Sequence, residues 1–98
     1  MNKGADVSKG TVLVCDDEEL IRWSLTEHLR GEGYNVAQAT NGEECIEAVS
    51  QHAPALVLLD LKMPVLDGLG AMRKLRQLGE EVPVVVITSH GGVDSAVE

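Results

Sequence analysis

The sequence has no hydrophobic segment long enough to form a membrane-spanning helix. Its longest apolar runs, Leu56–Leu59 and Val82–Ile87, are far shorter than the roughly 20 residues that cross a bilayer. The stretch Met1–Lys9 is polar and lacks the apolar core of a secretory signal peptide. We therefore expect a cytoplasmic protein with no membrane partner.

Basic residues are also scarce. Eight Lys and Arg stand against 16 Asp and Glu, which gives a net charge of −8 at pH 7. A nucleic-acid interface needs clustered Lys and Arg to contact phosphates, so this segment is not expected to bind nucleic acid directly. The acidic excess favours cations or basic protein surfaces as partners, although much of it is typical of a solvated exterior.

Cysteine is rare, with only Cys15 and Cys45 in the chain. Both lie within apolar patterns, and their spacing matches no metal-binding motif. We predict two small buried thiols in a reducing compartment rather than a disulfide or a zinc site.

Ninety-eight residues suffice for one domain with a single core. After a polar tail over residues 1–10, strand and helix patterns alternate four times, and the last helix is cut short. The predicted strands are Thr11–Cys15, Asn35–Ala39, Leu56–Leu59 and Val82–Ile87. The predicted apolar helix positions are Ile21, Leu25 and Leu29, then Cys45, Ile46 and Val49, then Leu69, Met72 and Leu75.

The last two strands are apolar without alternation, which is typical of strands covered on both faces. Short connections and strict alternation of strand and helix indicate a parallel sheet with helices on both faces. We therefore predict an α/β, doubly wound fold.

Three of the predicted strands end in polar side chains: Asp16-Asp17, Asp60 and Thr88-Ser89. Ligands of open parallel sheets bind outside the carboxyl ends of the strands, so we expect these side chains to converge. Clustered carboxylates repel one another, which raises the pKa of at least one of them unless a cation is bound. Mg²⁺ suits such oxygen ligands and supports phosphoryl transfer, in which a carboxylate can be the nucleophile.

Each feature alone has an ordinary structural explanation. An acidic run at a helix start often only complements the helix dipole, and an Asp after a strand is commonly a turn residue. Thr88 alone is typical of a strand-end hydroxyl bonded to backbone, and Met63-Pro64 and Asp67-Gly68 are typical of simple turns. Their combination on one sheet edge makes these separate explanations much less plausible.

Three segments, Val12–Glu18, Leu58–Gly68 and Val84–Thr88, together resemble the receiver domain of two-component response regulators. The resemblance runs from about Thr11 to the last residue. It implies a flavodoxin-like, CheY-like sheet and a receiver domain over residues 11–98. It also implies a sensor histidine kinase as partner.

The resemblance also assigns roles to individual residues. Asp60 matches the aspartate that accepts the phosphoryl group, and Asp17 matches the carboxylate that binds Mg²⁺ directly. Asp16 matches its neighbour, which usually acts through water, and Lys62 matches the position that offers a backbone carbonyl to the metal. Thr88 matches the switch hydroxyl that turns toward the phosphoryl oxygens.

The positions after the switch hydroxyl also match sites of known influence in this family. Ser89 and His90 match sites that affect dephosphorylation. Ile21–Leu25 and the region from Ser89 to Val97 look most like nitrogen-regulatory enhancer-binding transcription activators. This implies a transcriptional effector.

Members of this family continue with the rest of helix 4, a fifth strand ending in lysine, and a fifth helix. The present sequence ends at Glu98 and so holds about four strand–helix units. We expect strand 4 to form an apolar edge, with self-association through that edge or through helix 4. We also expect phosphorylation to couple poorly to a conformational change.

Two other functions need to be weighed against a receiver domain. A phosphatase or phosphotransferase with an aspartyl phosphate generally needs a second acid two residues after the nucleophile, where this chain has Lys62. We therefore do not expect an enzyme. The alternative is a truncated receiver that acts mainly as a dimerisation or protein-interaction module.

Overall fold

The computed structural model describes residues 9–63 and 65–87, which form a parallel sheet flanked by helices. The predicted fourth helix and most of the predicted tail lie outside these residues. The strands are β1 (Thr11–Cys15), β2 (Asn35–Ala39), β3 (Leu56–Asp60) and β4 (Val84–Ile87). The helices are α1 (Glu19–Gly31), α2 (Gly42–His52) and α3 (Gly68–Gln77).

The strand order is β2-β1-β3-β4, and every neighbouring pair is parallel. From β1 the chain passes through α1 to β2 on one side, then through α2 to β3 on the other side of β1. The sheet therefore changes winding direction between β1 and β3, where an open α/β sheet forms its binding crevice. This confirms the predicted doubly wound α/β fold.

The core lies around β1 and β3. Val12, Leu13, Val14 and Cys15 are at most 2% exposed, because β1 has a strand on each side and helices packed on the sheet. Helix side chains also belong to this core, and Leu75 of α3 is fully buried. Within the described residues, no helix has the length and apolar character that crossing a bilayer requires.

One helix face differs from the prediction. Leu69 was expected on the buried face of α3, but its side chain is 48% exposed. The fully buried positions are Ala71 and Leu75, which are one turn apart on the same face. Leu69 precedes Ala71 by two residues, or about 200° around the helix, so it points away from the core.

Strand β4 was also predicted differently. It begins at Val84 rather than Val82, and Val85 and Val86 are 47% and 43% exposed. The prediction of a strand buried on both faces is therefore wrong, whereas the expectation that strand 4 forms an apolar edge is confirmed within the described sheet. The reason is that β4 is the edge strand of the described sheet, with β3 on one side.

Both cysteines are buried free thiols, as predicted. Cys15 lies at the end of β1 and Cys45 in the first turns of α2. A hydrogen bond between the two thiols, together with burial, raises the pKa of Cys15 well above its ordinary value. Cys15 therefore stays protonated and packs as a small apolar side chain.

The start of α2 is fixed by two side chains that bond to backbone. Asn41 is the N-cap residue, and its Oδ1 accepts a hydrogen bond from the Glu44 N–H at 2.8 Å. Glu44 Oε1 in turn accepts from the backbone N–H of Thr40 at 2.8 Å and from its hydroxyl at 2.7 Å. These contacts satisfy the Glu44 N–H in the first turn of α2 and the Thr40 N–H just before the cap, and they set the direction in which α2 leaves β2.

Replacement of Glu44 by glutamine is expected to flatten the loss of stability in acid. The hydrogen bonds from Thr40 lower the pKa of Glu44 from its ordinary 4.5. The ionised carboxylate therefore stabilises the fold above pH 4.5, and this contribution is lost as the pH falls through the lowered folded-state pKa. Melting temperatures measured from neutral pH into this acid range should fall less steeply in Glu44→Gln. The neighbouring variant Glu43→Gln, which keeps the cap, should retain the parent slope; identical slopes in both variants would contradict this account.

Candidate functional site

Three carboxylates meet at the carboxyl ends of β1 and β3. Asp16 and Asp17 follow β1 directly, and Asp60 is the last residue of β3. Cys15 pairs with Leu59 in the parallel register, so the next residues along each strand, Asp16 and Asp60, lie side by side. One carboxylate oxygen from each of the three aspartates lies within 4.8 Å of the other two.

Two of these carboxylates are buried without full compensation. Asp16 and Asp60 are 0% exposed, and their Oδ2 atoms have no hydrogen-bond partner within the described part of the chain. Asp17 is exposed to solvent. Burying a carboxylate oxygen without a partner is costly, so the cluster has unmet capacity to bind a cation. A hard divalent ion with oxygen ligands and retained waters, such as Mg²⁺, fits this set of donors.

The backbone and side chain of Asp16 are held by hydrogen bonds. Its N–H donates to the Ala39 carbonyl of β2 at 3.1 Å. Its Oδ1 accepts from the backbone N–H of Glu18 at 2.9 Å, and its carbonyl accepts from Arg22 Nη1 at 2.9 Å. These contacts leave Oδ2 as the atom without a hydrogen-bond partner among the described residues.

Burial raises the pKa of the Asp16 carboxyl above its ordinary value. The hydrogen bond from the Glu18 N–H opposes this effect, whereas the negative charges of Asp60 and Asp17 add to it. The same proximity that disfavours ionisation in isolation would favour a bound cation, because a positive charge relieves the repulsion.

The loop after β3 folds back over the end of the strand. Asp60 Oδ1 accepts a hydrogen bond from the Lys62 N–H at 3.3 Å, and the Gly68 N–H donates to the Leu61 carbonyl at 3.1 Å. A Cβ atom on Gly68 would lie 2.4 Å from the Asp60 carbonyl oxygen. Glycine is therefore needed at this position for α3 to begin beside Asp60.

Two further residues define this loop. Asp67 is the N-cap of α3, and its Oδ1 accepts from the Gly70 N–H at 2.8 Å. Sequence analysis had considered Asp67 only as part of a simple turn, and the structure gives it the further role of capping α3. Val65 adopts a φ of 70° with its side chain 73% exposed. A β-branched residue in this left-handed region stores backbone strain in the loop between β3 and α3.

The structure brings together three of the predicted site residues, Asp16, Asp17 and Asp60. Lys62 contacts the site through its backbone N–H, and the predicted role of its carbonyl stays a prediction. Thr88, Ser89 and His90 lie outside the described residues, and the roles predicted for them stay predictions.

Arg22 is a site residue that sequence reasoning missed. Sequence analysis assigned it no role of its own. In the structure it is half-buried and reaches back to the turn that carries Asp16 and Asp17. Residue types gave no signal for this contact, because the partner of Arg22 Nη1 is a backbone carbonyl.

Comparison with known families identifies the domain. The family model described as the response regulator receiver domain matches residues 12–98. The DNA-binding transcriptional regulator NtrC of Escherichia coli (strain K12) is 36% identical over 91 residues, which cover 93% of this chain and 19% of that protein. The chain thus spans about a fifth of the length of that relative.

A shorter relative and a solved structure agree with this result. Sporulation initiation phosphotransferase F of Bacillus subtilis (strain 168) is 36% identical over 83 residues, which cover 85% of this chain and 67% of that protein. The N-terminal domain of a response regulator receiver protein from Methanoculleus marisnigri JR1 superposes with a TM-score of 0.81 at 32% identity. That match covers 92% of this chain and 75% of the other.

Proposed function

The chain belongs to the response regulator receiver domain family of two-component signalling, and on this basis we propose that Asp60 accepts a phosphoryl group from a sensor histidine kinase. The observation that carries the proposal is the environment of the Asp60 carboxylate. The carboxylate is fully buried at the end of β3, its Oδ2 has no partner among the described residues, and it lies beside Asp16 and Asp17.

The chemistry uses Asp60 as a nucleophile. A carboxylate oxygen of Asp60 forms a bond to phosphorus while the bond from phosphorus to the donor imidazole nitrogen breaks, and the imidazole leaves with that electron pair. Asp16, Asp17 and the Lys62 carbonyl, with Asp60 itself, would hold Mg²⁺. When bound, Mg²⁺ supplies neutralisation of the charge that gathers on the carboxylate and phosphoryl oxygens. Thr88 retains its proposed role as the hydroxyl that contacts the phosphoryl group.

We further propose that the domain acts in the cytoplasm as a switch and not as an enzyme that turns over a substrate. The effector it controls is proposed to be transcriptional, since the Escherichia coli relative is a DNA-binding transcriptional regulator. The acidic surface, with a net charge of −8, fits a role in which this segment itself does not contact DNA.

A second candidate function is self-association through β4. Val85 and Val86 are exposed on the edge strand of the described sheet, and an apolar edge pairs readily with another chain. The alternative face, helix 4, lies outside the described residues. Light scattering over a range of concentrations should show a dimer that is weakened by Val85→Lys, and a monomer at the highest concentration would contradict this function.

The phosphoacceptor function is tested with acetyl phosphate as the donor. We expect the intact mass to increase by one phosphoryl group in Mg²⁺ and to remain unchanged in EDTA. The Asp17→Ala variant should lose both the modification and the response of Trp23 fluorescence to Mg²⁺, since Trp23 lies on α1 shortly after the acidic pair. Equal modification of the parent protein with and without Mg²⁺ would contradict the proposed metal site, and no modification at all would contradict the function.

A further inference from the structure

Arg22 connects three parts of the chain that meet at the acidic cluster. Its Nη1 donates to the backbone carbonyl of Asp16 at 2.9 Å, and its Nε donates to Gln38 Oε1 at 3.1 Å. Arg22 belongs to α1, Asp16 to the turn after β1, and Gln38 to β2. One guanidinium thus ties the helix, the turn and the neighbouring strand together.

The carbonyl that Arg22 contacts belongs to the peptide unit that joins Asp16 to Asp17. On its other side, the Asp16 N–H is fixed by the Ala39 carbonyl, and Oδ1 is fixed by the Glu18 N–H. The Arg22 bond therefore fixes the remaining backbone group of Asp16 and, through the planar peptide, the start of Asp17. Asp17 is itself exposed, so its orientation depends on the backbone that precedes it.

Gln38 determines the orientation of the guanidinium group. The Nε and Nη1 donors are fixed relative to each other in one plane, so holding Nε on Gln38 directs Nη1 toward the Asp16 carbonyl. A lysine ammonium at this position would keep the positive charge, but it has no planar pair of donors to satisfy both acceptors in the same geometry. Charge and geometry can therefore be separated by substitution.

We propose that Arg22 is a positioning residue for the Mg²⁺ site, which it preorganises by holding the Asp16–Asp17 peptide. The inference rests on the proposed function, because it assumes that the acidic cluster binds Mg²⁺. Without the Arg22 contact, the Asp16 carbonyl bonds to water instead, and Asp17 is less ordered before the ion binds. The free-energy cost of ordering Asp17 then lowers the affinity for Mg²⁺. Outer-shell contacts of this kind commonly change metal affinity by about tenfold or more.

Four variants of the full chain test this inference. Arg22→Lys keeps the positive charge and removes the planar pair of N–H donors, and Arg22→Gln removes both the charge and that pair. Gln38→Ala removes the second acceptor at an exposed position on β2. Arg30→Gln is the matched control, because it removes one positive charge from the same helix at an exposed site that pairs only with Glu27 among the described side chains.

The readouts are the dissociation constant for Mg²⁺ by calorimetric titration and the rise in melting temperature that Mg²⁺ produces. We expect both Arg22 variants to bind Mg²⁺ about tenfold more weakly than the parent protein. Gln38→Ala should weaken binding less, in the same direction, and Arg30→Gln should match the parent protein. A purely structural role would lower the melting temperature without Mg²⁺ but leave the Mg²⁺-dependent rise unchanged.

Parent-like affinity in Arg22→Lys would overturn the inference, because the charge alone would then be sufficient. If circular dichroism shows that the Arg22 variants are unfolded, the Mg²⁺ affinity of Gln38→Ala becomes the test. An affinity equal to that of the parent protein in this variant would also overturn the inference. A parent protein that binds no Mg²⁺ would overturn the proposed metal site together with the inference. Binding by the parent protein with no effect of these variants would overturn the inference alone.

Discussion

Asp60→Asn is expected to abolish phosphoryl acceptance and, at the same time, to stabilise the metal-free fold. An amide is not a competent nucleophile toward phosphorus, so labelling should disappear. The stabilising effect arises because Asp60 is 0% exposed, with Oδ2 unpaired in the described structure and two further carboxylates close by. Removing one negative charge relieves repulsion, and the new N–H donors can bond to Asp16, a gain of about 1–3 kcal/mol.

Two measurements on the same samples check this expectation. Intact mass after incubation with acetyl phosphate and Mg²⁺ reports acceptance, and urea unfolding in EDTA reports stability. Glu47→Gln, on the exposed side of α2, is the control for loss of a carboxylate elsewhere and should behave like the parent protein in both. Continued labelling of Asp60→Asn would assign the phosphoryl group to a different residue, and a lower stability would show that the buried carboxylate is compensated in the metal-free protein.

Gly68→Ala is expected to damage both the fold and the site. The added Cβ would lie 2.4 Å from the Asp60 carbonyl oxygen and 2.8 Å from the Leu61 Cα, and both are backbone atoms that cannot rotate away. Either α3 or the end of β3 must move, at a cost of about 2–3 kcal/mol for such overpacking. Since the displaced strand end carries Asp60, phosphoryl acceptance should fall as well.

Gly31→Ala provides the matched comparison. A Cβ at Gly31, the last residue of α1, meets nothing within 4 Å. Alanine there should stabilise the protein by up to about 1 kcal/mol through helix propensity. Urea midpoints of the two variants should therefore shift in opposite directions. A Gly68→Ala protein with the parent midpoint and normal labelling would show that the start of α3 adapts without disturbing Asp60.

The sequence predicted the sheet well where local pattern and burial agree. β1 and β2 were located to the residue, because clear turn and capping residues bound both segments. The convergence of Asp16, Asp17 and Asp60 also followed from sequence, since parallel topology brings strand ends to one edge.

The predictions of burial were wrong where the exposure of a side chain depends on tertiary neighbours and not on the local sequence pattern. Val85 and Val86 have the composition of a buried strand, and the expectation of an exposed edge at strand 4 came from the family resemblance, not from these residues. Leu69 shares its apolar character with Leu75, and only the packing of Ala71 against the sheet decides which face of α3 is buried. Arg22 was missed because its partner is a backbone carbonyl, which leaves no trace in residue types.

The position of β1 in the sheet has a consequence for biosynthesis. Val12–Cys15 obtain their cover from strands made later, β2 on one side and β3 on the other. A nascent chain therefore carries this apolar strand unpaired until the ribosome has released residues well past β2. Asp16 can meet Asp60 only after β3 has emerged, so the acidic cluster cannot form before that stage of synthesis.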